Sequence, residues 1–168
     1  VCGCSSLRPS FGTVSRRGAM ALSWTMDKLG PLCRSMTDAA LVMQVIAGPD
    51  ARDDQCLDRP FRDLGAVEIA GLCAGFPAGS FATEEGRGFL ESLRALGVEL
   101  VEVPLPELPV DELILILTVE AAAAFDQLTL GGRDDELVRQ VRYAWPNAMR
   151  EARLIPAGEY VNANRIRR

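Results

Sequence analysis

Gly71-Leu72-Cys73-Ala74-Gly75-Phe76, then Thr83-Glu84-Glu85, then Phe89, Leu90, Leu93 and Leu96 ahead of Gly97, then Val98-Glu99-Leu100-Val101-Glu102-Val103: this stretch decides the fold class. Gly71 to Phe76 is a run of small residues suited to a strand and ended by Pro77. Thr83 offers a hydroxyl to the free N–H groups of a helix start, Glu84 and Glu85 suit its positive end, and the four apolar residues recur at helical spacing. Gly97 closes the helix, and Val98 to Val103 follows as a second strand. Parallel strands need a crossover of this length, so the segment predicts a right-handed βαβ unit. The fold class is mixed α/β, a βαβ unit with flanking helices.

Upstream, Val1 to Pro31 is rich in Gly, Ser and Pro and reads as turns and short extended pieces. Thr37 is placed to cap a helix in which Ala39, Val42, Met43 and Ile46 share a face, stopped by Gly48-Pro49. The Asp- and Arg-dense stretch from Asp50 to Pro60 suits a solvated, turn-rich connection. Downstream, after the Pro104 to Pro109 break, Asp111 precedes an apolar helical run through Leu128, ended by Gly131-Gly132. Asp134, Asp135 and Glu136 then predict a helix carrying Leu137, Val141 and Ala144 until Pro146 breaks it, and Pro156 starts the last helix. The domain reading is one partial domain over 1–168, made of segments 1–60, 68–104 and 110–168.

Composition excludes several function classes. The 168 residues are 48% hydrophobic, which excludes disorder, and a formal charge of −5 supplies no basic field for a phosphate backbone. Histidine is absent, so Ser-His-Asp and Cys-His schemes and His-containing zinc sites are excluded. The five cysteines (Cys2, Cys4, Cys33, Cys56, Cys73) contain no CxxC pair, and their odd number fits a reducing cytosol better than a disulfide framework. No apolar run approaches the roughly 18–20 residues of a membrane span.

Few residues stand out chemically. Ser5-Ser6, beside Gly3 and Cys4, reads as a turn, because a serine nucleophile needs a base and Lys28 is the only lysine. Asp27 beside Lys28 raises the lysine pKa, which makes it an ordinary surface cation. The pairs Asp53-Asp54, Glu84-Glu85 and Asp134-Asp135 read as helix-start or turn acids, and no metal is predicted. Gly75 to Ser80 lacks the Gly-Lys-Ser/Thr ending of a phosphate loop. Arg139, Arg142, Arg150, Arg153, Arg165, Arg167 and Arg168 read as a solvated face, with contact to an anionic partner such as tRNA as the lesser alternative. Trp24, Trp145 and Tyr160 read as core or interface anchors, with Tyr160 also a pocket candidate.

Read continuously, Cys2-Gly3, Leu7-Arg8-Pro9-Ser10-Phe11-Gly12 and Val14-Ser15 resemble a stretch of the amidase signature family. The likeness runs on through Arg16-Arg17-Gly18-Ala19-Met20-Ala21-Leu22-Ser23-Trp24, Met26-Asp27-Lys28-Leu29-Gly30-Pro31, Arg34-Ser35 and the helix from Asp38 to Ala47. It extends more loosely over Gly48-Pro49-Asp50, Asp58-Arg59-Pro60, Gly71-Leu72, Ala95-Leu96-Gly97-Val98-Glu99, Glu120-Ala121 and Glu159-Tyr160. The chain departs from the family pattern at Ser6 for glycine, Arg8 for lysine, Ser10 for threonine, Phe11 for tyrosine and Thr13 for arginine.

The resemblance implies a partial amidase-signature fold and a parent enzyme that cleaves carboxamides with a Ser-Ser-Lys relay, which makes the missing histidine no obstacle. The family's Gly-Ser-rich loop, catalytic lysine and nucleophile all precede the Cys-Gly at which this chain starts. No catalytic residue is therefore assigned within it, both ends are expected to be cut, and the 168 residues alone are expected to be inactive. Ser15, Met20, Ala21, Leu22, Ser23, Trp24, Asp27 and Tyr160 are the substrate-pocket candidates, because loop-rich Ser15 to Asp27 follows the nucleophile region. No cofactor is expected. The expected partners are a small amide substrate and the missing N-terminal half of the same fold, with tRNA only for the A-type component of an amidotransferase. A non-catalytic binding domain is the third reading.

Overall fold

The computed structural model describes residues 2–62, 65 and 67–167, with backbone alone at 111 and 112. In chain order the elements are β1 (Ser5–Ser6), β2 (Leu32–Cys33), α1 (Met36–Ile46), β3 (Cys73–Pro77), α2 (Glu84–Ala95) and β4 (Glu99–Val103). Then follow α3 (Val110–Ala124), α4 (Asp126–Leu130), a 3-10 turn at Arg133–Glu136, α5 (Trp145–Ala152) and α6 (Ala157–Ile166). They fall into two compact units, one of Val1–Asp63 with Pro109–Arg168 and one of Leu64–Leu108. Arg168 and the side chain of Asp111, both named in the sequence reading, lie outside the described residues.

The second unit is the βαβ element. β3 and β4 pair in parallel, Cys73 opposite Glu99 through Pro77 opposite Val103, and α2 is the crossover. Thr83 is extended, and its side chain accepts from Gly86 N at 3.1 Å, which satisfies one of the free donors of the first turn. Leu90 is buried, and Phe81 stacks on Phe89 and meets Phe76 edge-on. Gly97 turns the chain at φ +83°, where its Cβ would also meet Ala70 at 3.1 Å.

In the first unit, β1 and β2 are antiparallel, Ser5 opposite Cys33 and Ser6 opposite Leu32. The serine pair is thus a short strand rather than the expected turn. Ser35, not Thr37, caps α1: Ser35 is extended and accepts from Asp38 N at 3.1 Å, while Thr37 already lies inside the first turn. Ala39 and Met43 are fully buried on this helix, whereas Leu41 and Val45 are exposed.

α3 packs against both α5 and α6. Ala122, Met149 and Ala152 form the buried cluster, with Phe125 and Ile155 against it, and the alanine block of α3 lets the neighbouring helix approach closely. The apolar run expected to continue through Leu128 breaks at Phe125 (φ −107°, ψ 22°), so α4 is a separate short helix ended by Gly131 and Gly132. The helix expected from Asp134 does not form beyond the 3-10 turn. Val138 and Val141 are exposed, so no buried face repays ordering a helix there, and Gln140 Nε2 donates to the Asp134 and Leu137 carbonyls. Pro146 starts α5 rather than breaking a helix, because the first turn needs no N–H there. Pro156 directly precedes α6, as read. Trp24 and Trp145 are 47% and 45% exposed, so neither is a core anchor. Among the described residues, no helix is long and apolar enough to cross a membrane.

Gly30 tests the packing beneath the 22–31 loop. A Cβ there would sit 2.1 Å from Leu7 O and 2.8 Å from Pro9 Cδ, whereas at Gly158 in α6 it would meet nothing within 4 Å. Gly30→Ala is expected to cost at least about 2 kcal/mol by forced backbone movement. Gly158→Ala is expected to stabilise by about 0.5 kcal/mol through helix entropy. Urea unfolding of both variants checks the contrast, and equal midpoints would contradict it.

Candidate functional site

A charged residue inside an apolar helix must find donors or lose its charge. Glu120 of α3 is 4% exposed and finds them all within the first unit. Oε2 accepts from Ser23 Oγ at 2.5 Å and Thr25 N at 3.1 Å; Oε1 accepts from Thr25 Oγ1 at 2.7 Å and Tyr160 OH at 2.8 Å. Arg167 Nη1 donates to Thr25 Oγ1 at 2.8 Å and brings a cation to the rim of the cluster. Burial pushes the Glu120 carboxyl upward, but the hydrogen bonds from Ser23, Thr25 and Tyr160 outweigh it and leave the pKa below 4.5. Burial, and then the bond to Glu120, push Tyr160 up.

The same loop is stitched internally. Asp27 Oδ2 accepts from Leu22 N at 2.8 Å and Ser23 N at 3.0 Å. Its far side is tied to the Asp50–Gln55 turn: Ser15 Oγ donates to Asp50 at 2.9 Å, Arg16 N donates to Asp53 at 2.8 Å, and the Arg16 guanidinium donates to Trp24 O and Gln55 Oε1. Arg52, with Ser15 assisting, holds the Asp50 carboxyl down to about 2. The Arg16 amide lowers Asp53 against its desolvation.

Between the loop and the turn lies an open cavity of about 470 Å³. Met20, Ala21, Leu22, Trp24 and Asp27, all named from the sequence, line it. Ser15 lies beyond its wall on Asp50, Ser23 is buried on Glu120, and Tyr160 sits behind the loop on the same carboxylate. Arg16 and Arg17, inside the Ser15 to Asp27 stretch but not singled out, also line it, as do Lys28, Leu29, Arg52 and Asp53, which were missed. Glu120 was missed as a site residue too, although a lone acid in the apolar run of α3 is a legible signal of a buried polar cluster.

Lys28 departs from the sequence reading. It is half-buried, Nζ donates to Met26 O at 2.8 Å, and its pKa is lowered by burial and by Arg8, which together with Arg16 outweigh Asp27. The bonds recorded for Lys28, Ser5 and Ser6 assemble no serine–lysine relay.

Arg139, Arg142, Arg153, Arg165 and Arg167 are exposed, as the solvated-face reading has it, and Arg150 is half-buried. Arg150 pairs with buried Asp134 at 2.5 Å, a charge contact rather than an aligned hydrogen bond, and with Asp135 at 2.6 Å, while Arg153 pairs with Asp126. Two of the arginines thus tie α5 and the residue after it to the 3-10 turn and to α4. Glu84 and Glu85 lie in the first turn of α2 as read, and among the described residues no three His, Cys, Asp or Glu side chains converge as metal ligands.

The Amidase family model matches residues 1–164. The A-type component of the glutamyl-tRNA(Gln) amidotransferase of Nitratidesulfovibrio vulgaris is 37% identical over 150 residues, which cover 79% of this chain and 31% of that protein. A chain from a vestigial protein complex bearing on the origins of an s-triazine catabolic enzyme superposes with a TM-score of 0.76 at 27% identity, covering 99% of this chain and 37% of that one. The peptide amidase of Stenotrophomonas maltophilia shares the fold, with a TM-score of 0.69 at 22% identity over 96% of this chain and 39% of its own. The chain therefore spans about a third of the length of the curated relatives it matches.

Glu120 carries a measurable prediction. Glu120→Ala, which strands the hydroxyls of Ser23, Thr25 and Tyr160, is expected to cost about 2–4 kcal/mol. Because the folded pKa lies below 4.5, the carboxylate stabilises the fold above that value, and the contribution is lost as pH falls through the folded pKa. Urea midpoints should therefore fall less steeply below pH 4.5 for Glu120→Gln than for the wild type; parallel profiles would contradict the assignment.

Proposed function

Because the chain belongs to the amidase family, we propose that it forms one wall of the substrate pocket of an enzyme that hydrolyses carboxamide C–N bonds. In that reading a neutral lysine takes a proton, through a bridging serine, from a nucleophilic serine, all three lying outside this chain. The alkoxide adds to the amide carbonyl and forms a tetrahedral adduct; the lysine returns its proton through the serine to the leaving nitrogen, so that collapse releases ammonia or an amine and leaves an acyl-enzyme that water cleaves. The observation that carries this reading is the family match over residues 1–164, which includes the anchored loop around the cavity.

Within the pocket, Met20, Ala21, Leu22, Trp24 and Asp27 would face substrate, while Ser15, Ser23 and Tyr160 would fix the loop from behind. The exposure of Leu32 and Val45, at 71% and 83%, supports a further layer of the same fold over β2 and α1. The five free thiols support a reducing cytosol. A second reading, the A-type component of an amidotransferase working with companion proteins and tRNA, draws on the relatives of that name at 37% identity.

Ammonia release from acetamide, benzamide and glutamine separates these readings. The 168-residue chain is expected to show none above buffer, and a form lengthened at its N-terminus to include the serine and lysine segment is expected to turn over. Stimulation of glutamine turnover only by companion proteins and tRNA would favour the second reading. Turnover by the 168-residue chain that Ser5→Ala or Ser6→Ala abolishes would overturn the placement of the catalytic residues.

A further inference from the structure

The charges on the cavity lining balance one another. Arg16, Arg17, Lys28 and Arg52 share it with Asp27, Asp53 and Asp54, and Asp50, which pairs with Arg52 at 3.0 Å, sets four carboxylates beside four cations. Asp27 Oδ2 accepts from Leu22 N and Ser23 N, and Asp53 accepts from Arg16 N through Oδ2 and from Gln55 N through Oδ1. The Arg16 guanidinium rests on Trp24 O and Gln55 Oε1, and Lys28 Nζ rests on Met26 O. Asp27 also acts on the Lys28 ammonium through charge, as Arg16 does on the Asp53 carboxylate. Arg17 and Asp54 are exposed and opposite in sign, and a charge standing in water adds little to an ionic contact. An ionised ligand entering here would shed part of its hydration and would have to break one of the existing bonds to gain a counter-charge. A neutral ligand escapes both costs.

The apolar part of the lining is laid open instead. Met20, Trp24 and Leu29 are 82%, 47% and 39% exposed, and all three line the cavity. Ser23 and Thr25, on either side of Trp24, are bonded to Glu120, so the indole is carried by an anchored segment. At about 470 Å³ the cavity falls in the size range of small-molecule sites, which join an apolar wall to a few polar groups. A flat ring laid against an indole gains aromatic contact beyond its buried area.

We infer that the cavity selects an uncharged amide with an aryl body, its ring against Trp24, and discriminates against ligands that carry an ionised group. The inference rests on the amidase reading for the amide and deepens it, by setting a neutral aryl amide above glutamine, with its ammonium and carboxylate, as the substrate class. Binding is measured without turnover. Isothermal titration of the 168-residue chain at neutral pH uses benzamide, the anion benzoate, the cation benzamidinium, and acetamide, which keeps the amide and lacks the ring.

Benzamide is expected to saturate one site about tenfold more tightly than benzoate or benzamidinium, and about tenfold more tightly than acetamide. Trp24→Ala is expected to weaken benzamide about tenfold and Trp24→Phe to restore most of the loss. Should Trp24→Ala fail to fold, Met20→Ser, at an exposed side chain, serves as the second variant, with an expected loss of about threefold. Benzoate, benzamidinium or acetamide binding as tightly as benzamide, unchanged benzamide binding in the variant, or no saturable benzamide site would overturn the inference. Ammonia release by the lengthened enzyme without this selectivity would sink the proposal and spare the amidase reading. Selective benzamide binding with no ammonia release from the lengthened enzyme would do the opposite.

Discussion

Glu120 is 4% exposed, and the need of its two carboxylate oxygens for donors fixes much of the first unit. Ser23, Thr25 and Tyr160 come from a loop and a helix far apart in the chain, and each must stay where an oxygen is. A charge buried on α3 is stable only while these bonds persist, so the loop, α3 and α6 are fastened by one group. Trp24 lies between the two loop residues directed at Glu120, and it lines the cavity on the other side. The carboxylate thereby sets which face of the loop becomes the pocket wall.

The opposite margin of the cavity is fixed by a second set of contacts of different character. Ser15 and Arg16 reach the Asp50–Gln55 turn through exposed or half-buried hydrogen bonds, and the Arg16 guanidinium stands 4.5 Å over the Phe11 ring. Such bonds sit partly in water and are individually weaker than those at Glu120. The cavity is thus bounded by a buried hydrogen-bonded inner edge and a partly solvated outer one.

Local physics made several elements readable from the chain itself. Thr83 with Glu84 and Glu85, the apolar spacing to Leu96 and the glycine at 97 each act within a few residues, and α2 with its two strands follows from them. The same local reasoning misplaced the α1 cap by two residues, since Ser35 and Thr37 are both capable caps and only the extended backbone at Ser35 distinguishes them. It also proposed a helix after Asp134, where acidic residues resembled a helix start. Asp134 instead pairs with Arg150, which arrives from α5. The stretch Ser15 to Asp27 was singled out from the chain itself, whereas Arg52 and Asp53 join the cavity only because the Asp50–Gln55 turn folds back on residues 15 and 16.

The sequence by itself determined the α/β class, the βαβ order and the helical last third, because periodicity, capping and glycine placement act over short spans of chain. Only the tertiary structure decided that Glu120 is the anchor and that Lys28 is a crowded cation rather than a surface one. Burial and like-charge proximity depend on residues brought together from distant positions, and no pattern within a single segment records them.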